Sequence, residues 1–439
     1  MPLGEHACLH RALQLRRPAP LLVGLSGGLD STALLHALAA DAAIREHGLR
    51  AIHVHHGLQA DATEWAVHCR NACDSLGVAL QVVEVSIDRH DGDGLEAAAR
   101  KARYAAFATA MEPGEVLVTA HHRDDQAETF LLRALRGSGP DGLAAMRPWR
   151  SFAAGWQWRP LLDVPRDVLL AYAQHHRLSW VDDASNGDLR HDRNFLRHRI
   201  LPLLRERWPQ VDSAFSRSAV LSADAVELLA QEDALALAMS GTLDPRALSV
   251  HALLDLPPAR RARVLRRWIE GLGFPPLPGE GVAQIETALL PARADARARF
   301  EWRGVVIERW RDLLHVQHLR APLPADWEVQ WLGRKPLPLP EGDCLVLEGI
   351  TSLPAPLRVA ARQGGERIVL PGRTHSHSLK NVLQELGVPP WEREALPLLF
   401  NEAGELMAVA DLAYAQPFDA WLRHVGGRLR WLREESTRD

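Results

Sequence analysis

Seven consecutive residues, Leu25-Ser26-Gly27-Gly28-Leu29-Asp30-Ser31, combine the backbone freedom and side chains that phosphate binding needs. Two glycines let the chain turn tightly and present its N–H groups, and a following helix adds the partial positive charge of its N-terminus. Ser26 and Ser31 supply hydroxyl donors, so Ser26, Gly27, Gly28, Leu29, Asp30 and Ser31 form a candidate cradle for phosphate or pyrophosphate. No lysine follows the glycines, which separates the loop from a Walker A sequence. Asp30 would repel a phosphate unless a divalent cation lay between them, which makes it a candidate Mg²⁺ ligand or orienting residue. Without that chemistry the same string is a capped strand-to-helix turn.

A second cluster is Ala120-His121-His122-Arg123-Asp124-Asp125-Gln126-Ala127-Glu128-Thr129. If a helix begins near Asp124, Asp125 and Glu128 share a face, and His121 can join them for Mg²⁺ coordination and proton handling on a nucleotide. Alone, the pattern is better explained as an acidic first turn favoured by the helix dipole. Arg100 and Arg103 occupy one helical face before Tyr104 and could neutralise phosphates in place of the missing lysine; a solvated face explains either residue equally well. Arg193 and Arg197 share a face in the arginine-rich run Arg190–Trp208, which suits phosphate or RNA-backbone contacts, although composition alone favours a solvated helix. Arg260, Arg261, Arg263, Arg266 and Arg267 form a second basic helix with the same two readings. His53, His55 and His56 lack an acidic or cysteine partner for zinc, so they read as site-lining or structural histidines. Cys69 and Cys73 lie four apart without a second pair, which argues against metal or persulfide chemistry.

These residues need elements to position them. Apolar runs at 21–25, 51–56, 79–85 and 116–120 read as strands, and 32–40, 63–76, 95–111 and 125–135 as helices. Alternating strands and helices imply right-handed crossovers and an α/β, doubly wound, mostly parallel sheet, Rossmann-like, whose ligands lie at the carboxyl ends of the strands. Both chemical clusters fall at such ends. The expected organisation is a catalytic domain over 1–210, a mainly helical middle domain over 211–320 and a small α+β C-terminal domain over 325–439. Pro322, Pro324 and 335–340 resemble a linker.

The chain has 439 residues, 47% apolar and 24% charged, which excludes disorder throughout. No apolar run approaches the roughly 18 residues of a membrane span. The first ten residues show no basic-then-apolar leader, and four cysteines are too few for a disulfide scaffold, so a cytoplasmic protein with no membrane partner is expected. Net charge is −4 and none of the three parts is basic overall, so a nucleic acid would have to meet local arginine clusters.

With these motifs in hand, the Ser26–Ser31 string resembles the PP-loop of the N-type ATP pyrophosphatase superfamily, whose members adenylate a substrate and release pyrophosphate. Joined by His53-Val54-His55-His56-Gly57-Leu58, His121 to Thr129, and Asp182, Ser185, Asn186, Arg193 and Asn194, it is similar to the tRNA(Ile)-lysidine synthetases. The likeness continues through Ala294-Asp295-Ala296, Trp302-Arg303-Gly304 and Arg309 to Asp312, then Arg362 to Glu366, Leu379-Lys380 and Pro389 to Arg393. It departs at Gln59, where relatives often carry arginine.

The resemblance implies ATP and Mg²⁺ as cofactors, and free L-lysine and a CAU-anticodon tRNA(Ile) as partners. A homodimer is compatible with it. It implies ATP held by Ser26 to Ser31, with Asp30 or Asp125 near the metal. His121, Asp125 and Glu128 would line the reaction centre, with Asp125 as partner of the lysine amine or the metal. Arg100 or Arg103, and Arg193, would meet phosphates or the activated base. Arg193, Arg197, Arg362, Lys380 and Arg393 would contact tRNA. The alternatives are another PP-loop adenylating enzyme (tRNA 2-thiocytidine synthetase-like or amide-forming) and a non-catalytic tRNA-binding protein.

Overall fold

Strands that carry helices on both faces must bury consecutive residues in opposite directions. The computed structural model describes residues 7–14, 17–55, 62–86, 95–182, 187–293 and 298–433, and it follows that rule closely. Elements β1 (Leu21–Gly24), α1 (Leu29–Ala39), β2 (Leu49–His55), α2 (Ala62–Leu76) and β3 (Ala79–Glu84) are followed by α3 (Leu95–Ala110), β4 (Val116–Val118) and α4 (Arg123–Leu135). Leu21, Val23, Ala51, Val116 and Val118 face one core with Ala33, Leu34, Cys69, Cys73 and Leu169. The intervening Leu22, Ile52 and Leu117 face the other, against Ala106 and Phe107 of α3. The sequence expectation of a doubly wound, mostly parallel α/β sheet holds.

A hairpin of β5 (Trp149–Phe152) and β6 (Gly155–Trp158) completes a six-stranded sheet in the order β3-β2-β1-β4-β6-β5, parallel except for the edge strand β5. The sequence reading did not anticipate this hairpin. Strand order reverses between β1 and β4, so the crevice between their carboxyl ends is where a ligand belongs. After α5 (Arg166–His175), the stretch 192–207 is helical with a π-helical turn at Leu196–Ile200, and α6 (Val211–Leu228) packs on α4 with Phe130 stacked on Phe215.

The chain divides into two compact units, 1–231 and 232–439. The second unit contains a four-stranded antiparallel sheet (Ala247–Ser249, Leu313–His318, Val305–Trp310, Arg299–Trp302) against which Val264, Leu265, Trp268 and Ile269 of the helix Pro258–Gly271 are buried. It also contains a five-stranded antiparallel sheet, Glu328–Trp331 to Ala413–Tyr414, and a three-stranded one ending at Arg428–Leu432, which share a single core. No described helix is long and apolar enough to cross a membrane.

Candidate active site

The glycine loop is built as its composition requires. Gly27 sits at φ +85°, a left-handed conformation that a side chain disfavours, and a Cβ there would lie 3.1 Å from Cys69 Sγ. The Gly27 carbonyl accepts from the Val181 N–H (2.9 Å), so the strand of chain leading to the exposed Asp182 pins the loop. Ser31 Oγ donates to the Gly28 carbonyl (3.1 Å), accepts from the Ser26 N–H (3.2 Å) and lies 3.0 Å from Ser26 Oγ. No side chain caps the N-terminus of α1, whose first turn carries Asp30. Helix-terminal N–H groups and the exposed Ser26 hydroxyl are thus available to a ligand, while the buried Ser31 hydroxyl braces the loop, an arrangement that suits phosphate. Beneath the loop, buried His53 meets the Leu25 carbonyl at 2.9 Å and Cys69 Sγ at 3.4 Å, and burial lowers its pKa; it is structural. Burial pushes the Cys69 thiol up to about 12 and the Cys73 thiol up to about 11, so neither supplies a thiolate at neutral pH.

Across the crevice, α4 brings Asp125 and Glu128 to one face, as their spacing implies. Glu128 is 0% exposed. Its charge is met by Arg193 Nε (2.7 Å) and Arg197 Nε (2.6 Å), and both arginines also donate to Asp125 Oδ1, at 3.0 and 2.9 Å. Asp125 Oδ2 accepts from the His122 N–H at 3.1 Å. Despite burial, His122, Arg193 and Arg197 hold the Asp125 carboxyl well below the usual range. Arg193 and Arg197 therefore face inward, onto carboxylates; their spacing implies a shared face without revealing what it meets.

The histidine between the carboxylates is His122, whose role went unassigned in the sequence. It is 2% exposed, with Nε2 3.6 Å from Asp30 and 3.4 Å from Asp125, and Nδ1 3.7 Å from Asp124. Burial alone would lower its pKa, but Asp125, Asp30 and Asp124 outweigh that and raise it. His122 thereby ties the phosphate loop to α4. His121 points elsewhere: its Nδ1 lies 3.1 Å from Thr119 Oγ1, and burial, aided by Arg159, Arg193 and Arg100 against the pull of Asp125, pushes it down to about 3. It is neutral at pH 7. The signal separating the two is the helix start: His122 is the N-cap of α4 and His121 the residue before it.

Arg100 is exposed and lies over Tyr104, 5.1 Å from the ring centre; Arg103 is half-buried on the same helix. In the second unit, Arg362 pairs with Glu366 (3.5 Å), Arg393 donates to the Val388 carbonyl (2.8 Å), and Lys380 is exposed on the helix Leu379–Glu385. The basic helix is largely neutralised internally: Arg260 pairs with Glu232, Arg261 with Glu286, and Arg263 and Arg267 with Asp233. His56 to Gln59, Ser185, Asn186 and Ala294 to Ala296 lie outside the described residues.

Three family models match the chain: a PP-loop domain over residues 6–204, a TilS substrate binding domain over 248–315 and a TilS substrate C-terminal domain over 357–431. The tRNA(Ile)-lysidine synthase of Xanthomonas axonopodis pv. citri (strain 306) is 54% identical over 420 residues, covering 94% of each chain. The chain belongs to the tRNA(Ile)-lysidine synthase family. The tRNA(Ile)-lysidine synthase of Xylella fastidiosa (strain Temecula1 / ATCC 700964) is 51% identical over 424 residues, 95% of this chain and 96% of that one. A solved TilS C-terminal domain is 25% identical, matching 25% of this chain and 100% of that chain with a TM-score of 0.20. The region matched by the PP-loop domain model contains the glycine loop, Asp125, Glu128, His122, Arg193 and Arg197.

Proposed function

We propose that this protein ligates free L-lysine to C2 of the wobble cytidine of a CAU-anticodon tRNA(Ile), changing its codon from AUG to AUA. The cytidine carbonyl oxygen attacks the α-phosphorus of ATP and pyrophosphate leaves. The lysine ε-amine then adds at C2, AMP departs with the former carbonyl oxygen, and one proton is lost from the amine. The observation that carries this reading is a phosphate-binding loop joined through His122 to two buried, arginine-held carboxylates, in the family's PP-loop domain.

In this reading the N–H groups of α1 and the exposed Ser26 hold the triphosphate, in line with the uncapped helix start, and Ser31 braces the loop through its hydrogen bond to the Gly28 carbonyl. Asp30 suits Mg²⁺, because its Oδ1 is buried without a hydrogen-bond partner and phosphates complete such a hard-oxygen set. Asp125 is less available, its oxygens being engaged by two arginines and a backbone N–H. Among the described residues no three His, Cys, Asp or Glu side chains form a metal site by themselves. When bound, Mg²⁺ would screen phosphate charge and favour departure of pyrophosphate. Asp125 is the carboxylate placed to meet the substrate ammonium, Arg193 and Arg197 keep it ionised and oriented with the fully buried Glu128 as their anchor, and Arg100 and Arg103 offer charge to the leaving group. His121, neutral beside them, is available as a hydrogen-bond partner rather than a charge. Catalysis is assigned to 1–210, and tRNA holding to 211–320 and 325–439, with exposed Lys380 a better RNA contact than the internally bonded Arg362 and Arg393.

The test is pyrophosphate release from ATP-Mg²⁺ on a tRNA(Ile) transcript. Asp30→Ala should reduce it by at least a hundredfold in protein that remains folded by circular dichroism. Asp125→Ala should abolish lysine transfer. Retention of both activities in both variants would contradict the assignment.

A further inference from the structure

A chain of hydrogen-bonded side chains crosses three strands on the α3 side of the sheet and ends at His121. Arg150 on β5 stands opposite Gln157 on β6, and Gln157 is the register partner of Leu117 on β4. The ladder continues one step further, with the Thr119 N–H donating to the Trp158 carbonyl (3.1 Å). Residues two apart on a strand share a face, so Gln157 with Arg159, and Leu117 with Thr119, project to one side. Gln157 and Thr119 are both buried there. The direction of each hydrogen bond in this chain decides which ring nitrogen of His121 carries its proton.

The Gln157 amide can sit only one way round. Arg150 Nε (2.6 Å) and Arg159 Nη2 (2.8 Å) meet the same terminal atom, and a guanidinium only donates, so that atom is the carbonyl oxygen. The other terminal atom is the amide nitrogen, which donates to Thr119 Oγ1 at 2.9 Å and to the Tyr104 hydroxyl at 3.3 Å. Thr119 Oγ1 has one further neighbour, His121 Nδ1, at 3.1 Å. Among the described residues the Thr119 hydroxyl meets no other acceptor, so its hydrogen goes to Nδ1. A proton on Nδ1 would instead leave that buried hydroxyl hydrogen without an acceptor. Nδ1 is therefore the acceptor of the ring, and the ring proton sits on Nε2.

Nε2 of His121 has no hydrogen-bond partner among the described residues, and the half-buried ring lies just past the carboxyl end of β4. That strand is the neighbour of β1, whose own carboxyl end carries the phosphate loop. Burial keeps the ring neutral at pH 7. The two arginines polarise the Gln157 amide, which strengthens each successive donor along the chain as far as Nε2–H. A neutral ring with its N–H set in advance stabilises an oxygen that gains negative charge, and it does so without moving a proton.

We propose that Gln157 and Thr119 are positioning residues that hold His121 as the Nε2–H tautomer, and that Nε2–H donates to an oxygen of the phosphate that becomes AMP. His121 is then a hydrogen-bond donor and not the base that takes the proton of the lysine amine. The assignment rests on the lysine-ligation reading. The test follows the ring nitrogens of isotopically labelled histidine by NMR in the full chain, the His121 signals being those lost in His121→Gln. At neutral pH the wild type should show a protonated Nε2 and a bare Nδ1. Gln157→Glu keeps an oxygen for both arginines but replaces the donor with an acceptor. The Thr119 hydroxyl must then donate to the new carboxylate, and the His121 proton should move to Nδ1. Pyrophosphate release on tRNA(Ile), lysine transfer, or both should slow roughly ten- to a hundredfold, mainly in kcat. Thr119→Val, which adds no charge, should give a mixture of tautomers and a smaller loss. A wild type protonated at Nδ1, or an unchanged tautomer in both variants, would overturn the positioning role. A changed tautomer with both steps at the wild-type rate would overturn the donor role. Each of these results leaves lysine ligation standing, whereas wild-type protein that neither releases pyrophosphate nor transfers lysine would overturn both.

Discussion

Adjacent histidines at 121 and 122 have opposite electrostatic fates, and each carries its own pH signature. His122 has a folded pKa above its ordinary 6.5, so its stabilising contribution is full below that value and is lost as pH rises through the folded pKa. His121 is pushed down to about 3, so the unfolded chain binds a proton that the folded one refuses, and stability falls as pH drops below about 6.5. Thermal melts between pH 5 and 9 should therefore show His122→Gln losing part of the alkaline-side slope, and His121→Gln losing part of the acid-side slope; identical profiles for the two variants would refute this division. Arg197→Ala leaves Glu128, 0% exposed, with only Arg193. The expected cost is about 2–3 kcal/mol, below that of a fully buried pair because Arg197 keeps 30% of its side chain exposed, and it is read as a lowered denaturation midpoint. A loss under 0.5 kcal/mol would show that the clamp contributes little to stability.

At the scale of elements, the strand–loop–helix unit around Gly27 depends on one backbone conformation. Gly27→Ala must hold φ near +85°, costing about 1–2 kcal/mol, and press on Cys69 Sγ at 3.1 Å. The variant should melt lower and bind ATP more weakly, and adding Cys69→Ala should return the steric part but not the conformational part; full recovery would mean that the φ requirement is absent. The loop, the parallel strands and the Asp125–Glu128 face were legible because glycine pairs, apolar runs and a three-residue spacing each report local geometry. What neighbours the faces was not. Arg193, Arg197 and the arginines of the Pro258–Gly271 helix read as surface cations, yet they meet Asp125, Glu128, Asp233 and Glu286, and such pairings join residues far apart in the sequence. The choice between His121 and His122 turned on one residue of helix boundary. The β5–β6 hairpin, with Gln157 and Arg159, was missed because Trp149–Phe152 and Gly155–Trp158 are four residues each, too short for a periodicity to show.

For the whole molecule, a net charge of −4 and a sequence pI near 6.6 fit arginines spent largely on internal carboxylates, so RNA affinity has to come from local surfaces. Two compact units carry three family regions: the PP-loop region falls within the first unit, and both substrate-region matches fall within the second. The candidate crevice lies within the first unit. The central claim is tested most directly by incubating the full chain with ATP-Mg²⁺, labelled L-lysine and either a CAU-anticodon tRNA(Ile) transcript or tRNA(Met). Label entering the isoleucine tRNA alone, with one AMP released per lysine transferred, is the predicted result. AMP release without label in RNA, or equal labelling of the two tRNAs, would contradict it.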